Sequence, residues 1–111
     1  DAYYNRGNTK IRLQDFKGAL EDYTTTIKYK PLFAEAYHNV AVAKYNLQDY
    51  EGAINSLGEA LRINPRYAEA YATKAACNLF LKRTKDACED WHKSLQLGNT
   101  GVNDFIKQYC K

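Results

Sequence analysis

At 111 residues the chain is one domain by length, and 26% charged with 45% hydrophobic residues is ordinary globular composition. No apolar run approaches the roughly 20 residues of a membrane span, so direct insertion into a bilayer is not expected. The net charge of +3 is dispersed, with six Lys/Arg against four Asp/Glu in residues 1–33, three against four in 34–67 and seven against five in 68–111.

A nucleic-acid binder gathers its basic residues into one stripe, so nucleic acid is not an expected partner, and the cluster Lys82, Arg83, Lys85 reads as a solvated turn. The chain opens with Asp1 directly inside a helix-like pattern. That fits a removed leader or a piece of a longer protein, and the lack of a leader therefore says nothing about compartment.

The first helix is expected over Ala2–Leu13 with no cap before it, stopping near Gln14, where Asp15 offers a side-chain oxygen to the free amides of the next helix. That second helix, Phe16 to about Tyr29, sets Phe16, Ala19, Leu20, Tyr23 and Ile27 on one face. Pro31 stops it, because proline lacks an amide and disfavours helix at Lys30. The plan then repeats: Ala34–Leu47, Asp49 as cap, Tyr50–Ile63, Pro65 as stop. Gly52 and Gly58 inside the fourth helix each cost about 1 kcal/mol relative to alanine, and a close helix crossing is the expected reason. A third pair is expected over Ala68–Leu81 and Lys85–Leu97, with Thr84 as cap and Gly98 as the left-handed residue that ends it. Thr100 can then cap a seventh helix, about Gly101–Tyr109, with Val102, Phe105, Ile106 and Tyr109 as its apolar face.

The recurrence has a fixed period. Tyr3, Tyr37 and Tyr71 fall 34 residues apart, as do Ala19, Ala53 and Ala87, then Pro31 and Pro65, then Asp15 and Asp49. With those residues the chain resembles the tetratricopeptide (TPR) repeat, a 34-residue helix–turn–helix with the pattern W-x2-L-G-x2-Y…A-x3-F…P. The pattern's slots hold Tyr37, Val40, Ala41, Lys44, Ala53, Leu57 and Pro65 in the second copy. They hold Tyr3, Arg6, Gly7, Lys10, Ala19, Tyr23 and Pro31 in the first, and Tyr71, Lys74, Ala75, Asn78, Ala87 and Trp91 in the third. The tyrosine of the pattern's first helix is lost in every copy. The resemblance implies an all-α superhelix of helical hairpins, seven helices in all. Its repeats run about 1–33, 34–67 and 68–101, with a capping helix about 101–110 that covers the last repeat.

Superhelices of this type present the first helix of each unit on a concave face that takes peptides. By helix periodicity that face carries Tyr4, Asn5, Asn8, Ile11 and Arg12 from unit one, and Glu35, His38, Asn39, Val42, Tyr45 and Asn46 from unit two. Unit three adds Glu69, Thr73, Ala76 and Phe80. Asparagine can bond a peptide backbone without demanding sequence, and tyrosine offers apolar area with a polar tip. TPR co-chaperones grip the carboxylate of a chaperone tail with cations and two asparagines. The corresponding positions are Tyr4, Asn8, Asn39, Glu69 and Thr73; both asparagines match, all three cations are missing, and Glu69 would repel a carboxylate. Chaperone-tail capture is therefore not expected.

No nucleophile, base and orienter assemble in the sequence. The histidines His38 and His92 sit in no acid–base motif, and the pairs Glu21/Asp22 and Glu89/Asp90 are expected on outward, solvated positions. No enzyme activity and no cofactor are expected. Cys77 fills a small-residue slot and reads as a buried inert thiol. Cys88 and Cys110 lie 11 residues either side of Asn99, at one height if the last two helices pack antiparallel. A disulfide stapling the cap, free thiols, or a metal held with His92 all remain open. A disulfide would place the chain in an oxidising, exported or periplasmic compartment, and free thiols would fit the cytoplasm. The tail ACEDWHKSLQLGNTGVNDFIKQYC also resembles the C-terminal ends of envelope-associated TPR proteins of Gram-negative bacteria. The function expected is a non-enzymatic module or scaffold holding a peptide or protein segment in the concave groove. The alternative is assembly by end-to-end stacking, with Tyr3, Tyr4 and Phe16 at the N-terminal end of the array.

Overall fold

The computed structural model describes residues 1–111 as seven α-helices without a strand. They are α1 (Ala2–Arg12), α2 (Phe16–Tyr29), α3 (Ala34–Asn46), α4 (Tyr50–Ile63), α5 (Ala68–Phe80), α6 (Thr84–Gln96) and, after a 3-10 turn at Thr100–Val102, α7 (Asn103–Tyr109). Each consecutive pair forms a hairpin, and the three hairpins stack in order into a body of 43 × 24 × 20 Å, with α7 against α6. No helix is long and apolar enough to cross a membrane.

The turns inside the hairpins share one chemistry. The first helix of each hairpin, α1, α3 and α5, is followed by a residue at positive φ, namely Gln14 (61°), Gln48 (65°) and Lys82 (62°). The next amide reaches back to the third-last helical carbonyl, Asp15 to Lys10, Asp49 to Lys44 and Arg83 to Asn78, each at 2.8 Å. This double closure satisfies carbonyls that the helix end leaves free. The closing residue is at once the N-cap of the following helix. Asp15 and Asp49 accept from the amides of Gly18 and Gly52, each at 3.0 Å. Gly98 (φ 102°) closes α6 in the same way.

Several local expectations are corrected. The first helix does have a cap, since Asp1 accepts the Tyr4 amide at 3.1 Å. Thr84 is not the cap of α6. The register of Asp15 and Asp49 continues to Arg83, which has no acceptor and makes no side-chain cap; its guanidinium instead pairs with Glu51 at 2.9 Å. Thr100 makes no cap either, because the chain takes a 3-10 turn there and α7 starts only at Asn103. The glycines of α4 do not mark a helix crossing. A Cβ on Gly52 would strike the capping carboxylate of Asp49, and one on Gly58 would meet nothing within 4 Å. The tight crossing is at Gly7, where a Cβ would lie 2.7 Å from the buried Tyr23 ring.

Three small cores run along the stack. Ala19, Tyr23 and Val40 join α2 to α3; Ala41, Ala53, Leu57, Ala70 and Cys77 join α3, α4 and α5; Ala75, Ala87, Trp91 and Val102 join α5 and α6 to the cap. Tyr4 and Phe16 are half-buried, so only Tyr3 of the aromatics expected at the N-terminal end is exposed.

The acidic pairs are corrected most strongly. Glu21 and Glu89 are exposed as expected, but Asp22 and Asp90, 68 positions apart and so in one register, are 3% and 7% exposed. Asp22 receives both Nε and Nη2 of Arg6, at 2.9 and 2.7 Å, and Lys10 at 3.2 Å. Asp90 receives Nδ2 of Asn78 at 2.9 Å and Lys74 at 3.4 Å. Each ties the two helices of its own hairpin together. The Arg6 hydrogen bond leads in holding the Asp22 carboxyl below its ordinary value, whereas burial leads in raising that of Asp90.

Candidate functional site

Helices α1, α3 and α5 lie side by side and share one face. On α1 and α3 the polar residues form a closed network. Asn39 Nδ2 donates to Tyr4 Oη at 2.9 Å and to Asn8 Oδ1 at 3.2 Å, while Asn8 Oδ1 also accepts the Tyr23 hydroxyl. Both amide hydrogens of Asn39 are thus engaged. Tyr4 packs on Phe33 and Tyr23, with centroids at 4.7 and 5.8 Å, so its ring belongs to the core and only its edge to the face. Burial raises the Tyr23 hydroxyl to about 12, keeping it a neutral donor to Asn8.

Between α3 and α5 the link is His38, whose Nε2 stands 3.0 Å from Thr73 Oγ1. The Thr73 hydroxyl also lies 3.0 Å from the Glu69 carbonyl, so it can donate there while accepting from His38. Burial lowers the His38 pKa, against the opposing pull of Asn39, Glu69 and Glu35. The ring also stands 5.2 Å from that of Tyr67.

Next to this link opens a cleft of about 340 Å³ lined by Val42, Tyr45, Asn46, Ala72, Thr73 and Ala76. Its mouth toward the helix C-termini carries an aromatic group, with Tyr45 edge-on to Tyr50 and Phe80, and Phe80 stacked on Tyr50 at 4.9 Å. Phe80 is 56% exposed. Glu35 and Glu69 occupy the first turns of α3 and α5, exposed and in no ion pair. The two glutamates hold equivalent positions, each about one turn before the His38–Thr73 contact that joins α3 to α5, and burial leads in raising the Tyr67 hydroxyl. The structure therefore brings together Tyr4, Asn8 and Asn39, then His38 and Thr73, then Val42, Tyr45 and Asn46. Asn5 and Arg12 stand apart and are exposed; Arg12 bonds Thr9 on its own helix at 3.3 Å. Tyr67 and Ala72 were missed, although Ala72 holds the register of Tyr4 and His38 and the period could have found it.

At the other end, Cys88 and Cys110 are joined in a disulfide with Cα atoms 5.7 Å apart. Their sulfurs are spent on each other, which removes them as thiolate ligands beside the exposed His92. Trp91 lies under the cap, stacked by Phe105 at 5.5 Å and Tyr109 at 5.6 Å. Cys77 is the free cysteine, fully buried, with its thiol raised by burial to about 11.

A stack of helical hairpins with one shared helix face defines an α-α solenoid. A family description of the tetratricopeptide repeat matches residues 4–68, more than half of the chain, and the chain belongs to that family. The Arabidopsis OM64 TPR domain superposes with a TM-score of 0.94 at 24% identity, covering 97% of this chain and 91% of that one. The second TPR domain of human RPAP3, solved in complex with the HSP70 peptide SGPTIEEVD, gives 0.90 at 26% identity, covering 98% and 92%. The TPR2B domain of yeast Sti1, solved as a pHsp70 complex, gives 0.89 at 25%, covering 97% and 90%. No curated protein matches the chain by sequence.

Proposed function

We propose that the chain is a non-enzymatic protein-interaction module that holds an extended peptide or protein segment along the face of α1, α3 and α5. The observation that carries this is the 340 Å³ cleft between α3 and α5, apolar in its walls and edged by Asn46 and Thr73, with the exposed Phe80 packed edge-on against its wall residue Tyr45. An open, mostly apolar cleft with a few polar groups is what a side chain of a bound segment fills. Similar TPR domains of human RPAP3 and yeast Sti1 were solved with HSP70 partners, which supports a peptide as the ligand class. The face also differs from a carboxylate clamp: Tyr4, Glu69 and Thr73 stand at the cationic positions, and the Asn39 amide is already engaged. Filling the cleft with Ala76→Leu should abolish capture of partners by the immobilised protein without lowering its melting temperature. Undiminished capture by that variant would remove the groove assignment.

The second reading is assembly through the first repeat. Tyr29 and Leu32, each 71% exposed, follow one another where α2 gives way to α3, and Leu13, 74% exposed, lies at the other end of the first hairpin. Light scattering separates the two: an oligomer that survives dilution supports assembly, and a monomer supports the groove.

A further inference from the structure

The groove is not electrically neutral, and its sign is opposite to that of a carboxylate clamp. Asp1, Glu35 and Glu69 repeat at the 34-residue period, Asp1 as the N-cap of α1 and Glu35 and Glu69 in the first turns of α3 and α5. Asp1 is spent on the Tyr4 amide, with Lys30 at 4.0 Å. Glu35 and Glu69 have no cationic partner, and Tyr67, two residues before Glu69 with its ring 5.2 Å from His38 on α3, has a hydroxyl that makes no hydrogen bond within the protein. The cations of the odd helices are used elsewhere. Arg6 and Lys10 face Asp22, and Lys74 faces Asp90. Lys44 shares the register of Lys10 and Asn78, on the α4 side. Arg12 lies at the far end of α1. The end of the groove by Glu35 and Glu69 thus carries two carboxylates beside the Tyr67 ring with no cation in ion-pair contact, Arg66 on the loop before α5 being exposed and unpaired.

We infer that the groove takes an extended peptide bearing a Lys or Arg side chain seated between Glu35 and Glu69, with an apolar side chain of the same peptide in the α3–α5 cleft. The inference rests on the groove reading above and narrows its ligand class. A guanidinium or ammonium there gains two carboxylates and a phenolic oxygen as acceptors. The apolar side chain would fill the space among Val42, Tyr45, Ala72 and Ala76. On α5, Glu69 precedes Thr73 by one helical turn and Ala76 by two, which puts the cation seat about 6–10 Å from the cleft. An extended chain advances about 3.3 Å per residue, so roughly two or three residue steps separate the cation from the apolar side chain. A peptide ending in a run of acidic residues would meet like charge at the same place.

The test is selection of random peptides displayed on phage against the immobilised protein. The selected sequences are then resynthesised, N-acetylated and C-amidated so that no terminal ammonium competes, and measured by fluorescence anisotropy. Selected sequences should pair Lys or Arg with Leu, Ile or Phe at that spacing. Their binding should weaken with salt and fall about tenfold in E35Q/E69Q, the size of effect two partly exposed charge pairs produce. Replacing the peptide's own basic residue by glutamine should cost as much in wild type and nothing further in the double variant. Neutral or acidic peptides that bind as tightly as basic ones, yet are lost in Ala76→Leu, would overturn the charge inference and keep the groove. No enrichment at all, or enrichment unchanged in Ala76→Leu, would overturn both.

Discussion

The disulfide that closes the cap sets up the most quantitative test. α7 has seven residues, too few to be helical alone, and its exposed Phe105 and Tyr109 rest on Trp91. Cys110, the residue after its last turn, is tied to Cys88 across a sequence separation of 22. In the chain-entropy account, closing a loop of that length in the unfolded state is worth about 3 kcal/mol. With the usual unfolding entropy per residue, that corresponds to a fall in melting temperature of roughly 12 °C for a chain of this length. The experiment compares calorimetric scans of oxidised and reduced wild type, which avoids the packing changes of a serine variant. Hydrogen exchange at residues 103–109 reports whether α7 opens first. If it does, exchange there rises on reduction while the global transition moves by less than the full amount. Thiol titration in denaturant should find one free group, Cys77, before reduction and three after. Three free thiols in protein purified without reductant, or identical melting and exchange in both states, would refute the reasoning.

Other outcomes follow from the hairpin contacts. Gly7→Ala should destabilise by about 1–3 kcal/mol in urea unfolding, because the new Cβ would lie 2.7 Å from a Tyr23 ring that is 1% exposed and tethered to Asn8. Gln48→Gly should raise stability by about 0.5–1 kcal/mol, since Gln48 holds φ at 65° where glycine carries no side-chain penalty. The two buried aspartates should respond oppositely. The folded pKa of Asp22 is lowered, so its contribution is present above the unfolded value of 3.8 and is lost as pH falls through the lower folded value. The folded pKa of Asp90 is raised, so its contribution is present below 3.8 and is lost as pH rises through the higher folded value. At pH 7, thermal melting should therefore show Asp22→Asn less stable than wild type and Asp90→Asn equal to it or more stable. The reverse order would show that pairing with Lys74 outweighs burial at Asp90.

What the sequence by itself determined was everything carried by the 34-residue period. Tyr37, Ala53 and Pro65 recur in register, and from them the helices, hairpins and stack order could be read, because each unit uses local helix and turn chemistry; the last helix was legible from its own apolar face. The same period holds the cap position at Arg83 and the cleft position at Ala72, so those misses came from reading residue types instead of register. Other features required the tertiary structure. Periodicity places Asp22 and Asp90 on a helix face, but whether that face is covered depends on how closely the partner helix crosses. The same holds for Asn39, whose amide is consumed by Tyr4 and Asn8 across a helix boundary, and for His38, which meets Thr73 on the first helix of the next hairpin. A face of residues can be counted from a repeat. Which of them remain free to meet a ligand is decided by contacts between repeats, and these leave the carboxylates of Glu35 and Glu69 without an ion pair, one to two helical turns from the open cleft.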